Sequence, residues 1–316
     1  MMLKKLLKRI GITLLVVFVL LNIMAAFHAY KFTHFYSNIP APLKPAEMGF
    51  TQKASAIFMG VKFPKSKVVD TFLVAHDTVG LVTSDGIKLE SWYAKSDSIA
   101  KGTVIMFHGH GASKSGQIKE ATAFHNMGWN VFLTDFRAHG NSEGEVCTVG
   151  VNESKDVKSA YDFIKSKGEK NIVLYGISLG ASTILTTFNR FPIRPAKVIL
   201  EMPFGTLLDG VEGRLKIMHI PLEPMGVLLT FWGGIEQGFW AFSHSPENYA
   251  NNISCPVLLQ WGINDPRVTE RETNAIFKNL ATRNKMMIKY ARSGHQSLCK
   301  NENEKWMKCV SEFLDQ

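Results

Sequence analysis

The sequence predicts an α/β fold, a mostly parallel central sheet with helices on both faces and a helical insertion, and three observations carry that prediction. Short apolar, β-branched runs recur between residues 103 and 290; each has strand length and lacks the in-out alternation of a half-exposed sheet, as expected of strands buried on both faces. Segments with apolar residues at helical spacing separate those runs. A turn-bounded pair of runs precedes them, as a hairpin would.

Taken in order, Leu81-Val82-Thr83 and Lys88 to Tyr93 flank Ser84-Asp85-Gly86, which supplies the turn residues. Thr103 to Phe107, Asn130 to Thr134, Asn171 to Tyr175, Lys197 to Leu200, Pro256 to Trp261 and Lys285 to Tyr290 read as strands. Helices are expected over 115–127, 270–280, 301–314 and 151–167, where Val157, Ala160, Tyr161 and Ile164 fall at i, i+3, i+4 and i+7. Chemistry in open sheets of this kind sits beyond the carboxyl ends of the strands. Residues 203–250 break the rhythm with large apolar side chains, among them Phe204, Leu208, Phe231, Trp232 and Trp240. They are expected to form a helical lid over those strand ends.

The N-terminus is of another character. Ile10 to Tyr30 contains no charged residue and is long enough to cross a bilayer, which takes about 20 residues. Residues 1–30 are therefore expected to be a transmembrane signal-anchor, 31–70 a basic stalk punctuated by Pro40, Pro42, Pro45 and Pro64 with a short helix near 46–59, and 71–316 the folded domain. Lys4 to Arg9 ahead of the apolar run place the N-terminus in the cytoplasm and the domain on the extracytoplasmic side. A cleaved signal peptide, with Ala25, Ala26 and Ala29 near the cleavage point and a secreted product, is the alternative. Residues 1–70 hold ten Lys or Arg against Glu47 and Asp70, so +8 of the net +9 belongs to this arm. A basic arm on a neutral domain fits anionic lipid head groups and not a nucleic-acid groove, so no nucleic-acid partner is expected. Cys147, Cys255, Cys299 and Cys309 have no CxxC or His-Cys spacing, and no metal or cofactor is expected of them.

Gly176-Ile177-Ser178-Leu179-Gly180 follows one strand and opens a helical run, the setting in which a GxSxG match signifies a nucleophile elbow. Gly176 and Gly180 let strand and helix approach while the turn projects the Ser178 hydroxyl. A serine needs a base that is itself held in place. Asp265 and His295 each follow a predicted strand, in the order Ser, acid, His, and Glu201 is the reserve candidate for the acid. Backbone N–H groups of Leu179 and of His110, in the His108-Gly109-His110-Gly111 turn, are the candidate oxyanion hole. A metal site of His108, His110, Asp135 and His139 is the competing idea for that turn.

These motifs, with Asp135-Phe136-Arg137-Ala138-His139-Gly140-Asn141-Ser142, Gly262 to Asp265 and Gly294-His295, resemble the α/β-hydrolase superfamily. The nearest likeness is its branch of membrane-anchored α/β-hydrolase-domain and serine aminopeptidase-like proteins, over about residues 75–316. Ala138 departs from the usual Gly in the Asp135 to Ser142 stretch, which is expected to be structural. The resemblance implies a cofactor-independent serine hydrolase acting on a carboxylic ester or thioester, and the apolar lid and anchor suggest a small-molecule or lipid-like acyl substrate. Amide or peptide cleavage by the same residues is the alternative, as is a non-catalytic membrane-anchored binding protein on the same fold.

Overall fold

A computed structural model describes residues 2–43 and 45–316; Met1, at the start of the expected anchor, and Lys44, in the expected stalk, lie outside the described residues. The chain opens with helix α1 (Met2–Thr33), then β1 (Phe35–Tyr36), α2 (Phe50–Met59) and β2 (Phe63–Pro64). The hairpin β3 (Asp77–Val82) and β4 (Lys88–Ala94) leads into β5 (Thr103–Phe107), α3 (Ile118–Asn126), β6 (Asn130–Thr134), α4 (Glu153–Ser166), β7 (Ile172–Ile177), α5 (Leu179–Arg190) and β8 (Lys197–Glu201). The insertion supplies α6 (Leu207–Ile217), α7 (Met225–Gln237) and the short α8 (Pro246–Tyr249). The chain ends with β9 (Val257–Gly262), α9 (Glu270–Asn279), β10 (Lys285–Tyr290), α10 (Leu298–Asn301) and α11 (Asn303–Leu314).

Eight strands form one sheet in the order β10-β9-β8-β7-β5-β6-β4-β3. β4 pairs antiparallel with both neighbours, and the pairs from β6 through β10 are parallel. Each central strand is buried on both faces, so alternate residues serve two cores. Ile105 and Phe107 pack beneath α4, α5 and α9 with Val157, Ile184 and Ile276. Val104 and Met106 pack under α3 and α11 with Phe124, Trp306 and Val310. This two-sided burial is why the strands read as continuous apolar runs.

Two expectations are refined. The helix over 115–127 begins as a 3-10 turn, Lys114–Gln117, before α3 proper. Residues 31–70 are not all extended away from the domain. β1 and β2 pair in parallel with Phe35 opposite Phe63, the Phe35 amide donates to the Glu145 carbonyl at 2.8 Å, and the Phe35 side chain joins the sheet's core. Composition hid this, because the aromatic residues that dock are scattered among lysines and prolines.

α1 is apolar and exposed over most of its length, with Leu14, Leu15 and Phe18 each more than half exposed. Its last turns are different. Ala25 and Ala29 are buried against Leu215, Met225 and Leu229 of α6 and α7, and the Trp232 indole donates to Asn22 Oδ1 at 3.1 Å. Small residues at i and i+4 let the two helices approach closely.

Candidate active site

The site forms where β5, β7, β9 and β10 end. β7 runs into α5 through Ser178, which holds φ 52 and ψ −112, a left-handed backbone that a side-chain-bearing residue adopts only where its surroundings impose it. The flanking glycines impose it. A Cβ on Gly176 would lie 2.5 Å from the Gly180 carbonyl carbon, and one on Gly180 would lie 2.2 Å from the Phe107 oxygen of β5. Gly180→Ala is therefore expected to cost about 3 kcal/mol or more, since backbone must move to admit the methyl group. Urea denaturation followed by circular dichroism measures this, and a loss below about 0.5 kcal/mol would mean that the elbow is not packed so tightly.

The other two residues come from loops. Asp265 follows β9; its Oδ1 accepts the backbone amides of Arg267 at 2.7 Å and Val268 at 2.9 Å. Its Oδ2 lies 2.7 Å from His295 Nδ1. His295, beyond β10, places Nε2 2.9 Å from Ser178 Oγ. A carboxylate only accepts, so Nδ1 carries the proton and Nε2 is left to accept from the serine hydroxyl. The Asp265 side chain is fully buried and that of His295 nearly so, which strengthens each contact by excluding water. Close backbone packing fixes the two loops together: a Cβ on Gly262 would sit 2.5 Å from the Ser293 oxygen, and Glu302 holds the second loop by accepting from the Ser293 hydroxyl at 2.8 Å.

Glu201, the reserve acid, is turned elsewhere. Its carboxyl accepts from the Trp306 indole at 2.6 Å and the Gln260 amide at 3.2 Å, and burial, reinforced by Glu120, raises its pKa to about 8.

His110 and Leu179 line the same recess as Ser178 and His295. A Cβ on Gly109 would lie 3.7 Å from that of Ser178, so the 108–111 turn passes directly over the serine. Two histidines hold that turn. His139 Nε2 accepts the Gly111 amide at 3.0 Å, with Nδ1 2.9 Å from the Arg137 carbonyl. His108 Nε2 accepts the Phe136 amide at 3.1 Å, with Nδ1 2.8 Å from the Gly109 carbonyl. Both rings are thus neutral Nδ1–H tautomers, and burial lowers both pKa values to about 4. The competing metal idea fails on this point, because every ring nitrogen of His108 and His139 is committed to backbone. Asp135 is likewise occupied, accepting the Lys114 and Asn141 amides at 2.6 and 3.0 Å and pairing with the Lys114 ammonium. Among the described residues no group of three or more His, Cys, Asp or Glu is arranged to hold a metal.

The Asp135 to Ser142 stretch is a brace. The Arg137 guanidinium donates to Asp156 at 2.7 and 2.9 Å and to Asp85 at 2.8 and 3.1 Å. Ala138 sits at φ 61, a left-handed conformation that explains why glycine is the usual residue there. All four cysteines are free thiols. Burial raises the Cys255 and Cys299 thiols to about 12, which leaves them unreactive.

The sequence did not mark several residues of this recess. Phe32, at the end of α1, lines it together with Val149, Arg214 and Arg267. Phe35 sits between the His110 and His139 rings, tilted against each, with centroid separations of 5.1 and 4.6 Å. Val149 holds φ 52, costly for a β-branched residue. No local pattern announces these positions, since helix ends and an insertion bring them in from afar.

Comparison with known proteins agrees with this fold. Residues 98–219 match the family model described as serine aminopeptidase, S33. The fold superposes on the Pyrococcus furiosus esterase with TM-score 0.66, covering 79% of this chain and 96% of that one at 24% identity. The chain has the α/β-hydrolase fold. Among similar proteins, an uncharacterized membrane protein of Saccharomyces cerevisiae is 29% identical over 70% of this chain and 74% of its own length. An alpha/beta hydrolase domain-containing protein of Arabidopsis thaliana is 24% identical over 76% of this chain and 79% of its own. The partial family match and the fold together point to a hydrolase and leave the bond it cleaves to the chemistry of the site.

Proposed function

We propose that the chain is a serine hydrolase that cleaves a carboxylic ester or thioester through an acyl-Ser178 intermediate. The observation that carries the reading is the unbroken hydrogen-bonded line from Ser178 Oγ through the His295 ring to Asp265. His295 Nε2 takes the hydroxyl proton as Ser178 Oγ bonds to the substrate carbonyl carbon, and Asp265 stabilises the imidazolium that results. The oxyanion is met by the amides of His110 and Leu179, the second at the N-terminus of α5, where the helix favours negative charge. Collapse breaks the bond to the leaving group, which departs with the proton from His295. Water, deprotonated by the same nitrogen, then releases the acid and restores Ser178.

The family description keeps aminopeptidase chemistry in view, and the composition of the recess weighs against it. An aminopeptidase must hold a protonated amine, yet the described lining of the recess includes Arg214 and Arg267 and no carboxylate. Cationic walls repel an ammonium group and suit a neutral or anionic ester.

In this reading α1 is an uncleaved transmembrane anchor, 31–70 is a connecting segment partly docked on the hydrolase domain, and 203–250 is the lid. The burial of Ala25 and Ala29 against α6 and α7 supports retention of α1, because signal cleavage near those alanines would strip a wall from the lid. The basic residues ahead of α1 support an extracytoplasmic domain.

A fluorophosphonate probe tests the proposal. Wild-type protein is expected to label at Ser178 and Ser178→Ala to show no labelling, with hydrolysis of p-nitrophenyl butyrate lost by about 10⁴-fold or more. Equal labelling of the two proteins would sink the serine-hydrolase reading.

A further inference from the structure

Two guanidinium groups line the recess above Ser178. Arg214 comes from α6 of the insertion, and Arg267 from the loop whose Asp265 holds His295. Neither side chain has a carboxylate partner among the described residues. The Arg214 guanidinium lies 5.5 Å from the Phe32 ring centroid. Asp265, the acid nearest Arg267, already spends its oxygens on His295 and on two backbone amides. Both groups are part-buried. Burial lowers the pKa of each, and the charge of Arg267 lowers Arg214 further. They also act together on His110, whose pKa is depressed first by burial and then by neighbouring charges that include both of theirs. Two like charges brought together out of water, with only the charge of Asp265, itself engaged by His295, to offset Arg267, are a cost to the empty protein, and a ligand bearing negative charge lowers it.

A second recess adjoins this one and shares Phe32, Val149 and Val211 as walls. Apolar side chains form most of its remaining wall, among them Ala29 from α1, Leu215 from α6 and Leu229 from α7, with Thr33, Thr148, Thr230 and Gln237 also lining it. The pairing of an apolar recess with an adjoining one that holds a serine and two cations without carboxylate partners describes an amphiphile.

We infer that the substrate is an acyl ester whose alcohol side carries a phosphate or carboxylate: the acyl chain lies between α1 and the insertion, and Arg214 and Arg267 hold the anion. This deepens the serine-hydrolase proposal and rests on it. Arg267 belongs to the His295 side of the site, where the leaving group collects its proton, so the anion is assigned to the alcohol and not to the acyl chain. Guanidinium forks match phosphate and carboxylate oxygens in pairs, which a point charge does not.

The full chain in detergent is given matched substrates, a monoacylglycerol and the corresponding monoacylglycerol phosphate, each with an oleoyl and with a butyryl chain. Within each protein the ratio of kcat/KM for the phosphorylated over the neutral ester is read, so that any general loss cancels. Wild type is expected to prefer the phosphorylated ester by about tenfold or more, the scale of one charge-assisted contact. Arg214→Gln and Arg267→Gln are each expected to lower that ratio by about fivefold or more, and the Lys variants to keep part of it. A preference confined to oleoyl esters assigns the anion to a membrane lipid, and one shared by butyryl esters assigns it to a soluble phosphate ester. Should the Gln variants fail to fold, the wild-type preference must still shrink several-fold between low and high salt. A wild-type ratio near one, or a ratio that survives both Gln substitutions, overturns the inference. Because p-nitrophenyl butyrate turnover and probe labelling are scored separately, their failure would count against the hydrolase proposal instead.

Discussion

On the proposed mechanism, Asp265→Asn is expected to fold as the wild type does and to lose about 10⁴-fold in kcat, the scale of the same exchange in a Ser-His-Asp protease. The asparagine can keep its carbonyl oxygen on the amides of Arg267 and Val268, which Asp265 Oδ1 now accepts. Its NH2 group then faces His295 Nδ1, now 2.7 Å from a carboxylate oxygen. Two donors cannot share that contact, so the ring must carry its proton on Nε2 and present a donor to Ser178. The serine proton has no acceptor in that tautomer. Turnover of p-nitrophenyl butyrate, with circular dichroism melting as the control for folding, measures the effect. Retention of more than about a tenth of wild-type kcat would show that Asp265 does not orient the base.

The second large effect concerns stability and pH. Glu201 is fully buried at the end of β8, and burial together with Glu120 lifts its pKa to about 8 from an ordinary 4.5. The native state therefore holds this proton more tightly than the unfolded chain does. Its contribution is most favourable below the unfolded value and declines as pH rises towards the folded one. Glu201→Gln imitates the protonated form at every pH, with an oxygen still able to accept from Trp306 and Gln260. Relative to wild type, the variant should gain about 1.4 kcal/mol per pH unit between pH 5 and 8, levelling off above. Other titrating groups are common to both proteins and cancel. Paired urea melts at pH 5, 6.5 and 8 test this; a difference that stays flat, or runs the other way, would mean that Glu201 is ionised in the folded state.

The sequence made the scaffold legible because two periodicities suffice for it. Ile105 and Phe107 serve one core and Val104 and Met106 the other, so an unbroken apolar run was a sound sign of a strand covered twice. The turn at Ser178 was equally open, since glycines at 176 and 180 answer to close backbone contacts within one local motif. The proximity of Asp265 and His295 could be guessed only from their order after successive strands. The substrate recess was closed to such reasoning. Arg214 and Phe32 enter it from an insertion and from the end of an apolar helix, where no repeat or turn signal marks the direction of a side chain. His108 and His139 illustrate a further limit: a pair of histidines near a glycine turn suits a metal as well as a brace. Only the backbone amides that their Nε2 atoms accept decide between these.

On the proposal that α1 is a membrane anchor, its join with the insertion fixes what the enzyme can reach. Asn22, Ala25 and Ala29 are tied into α6 and α7, and Phe35 is seated in the core of the sheet, so there is no slack tether on which the catalytic head could swing. With α1 embedded in a bilayer, the mouth above Ser178 keeps a set height and attitude over its own leaflet. Substrate comes to it by diffusing sideways in that leaflet or by arriving from the adjoining aqueous phase. A facing membrane stays beyond its range, and moving the same head onto a longer, looser leash would change which molecules it meets without altering a single catalytic contact.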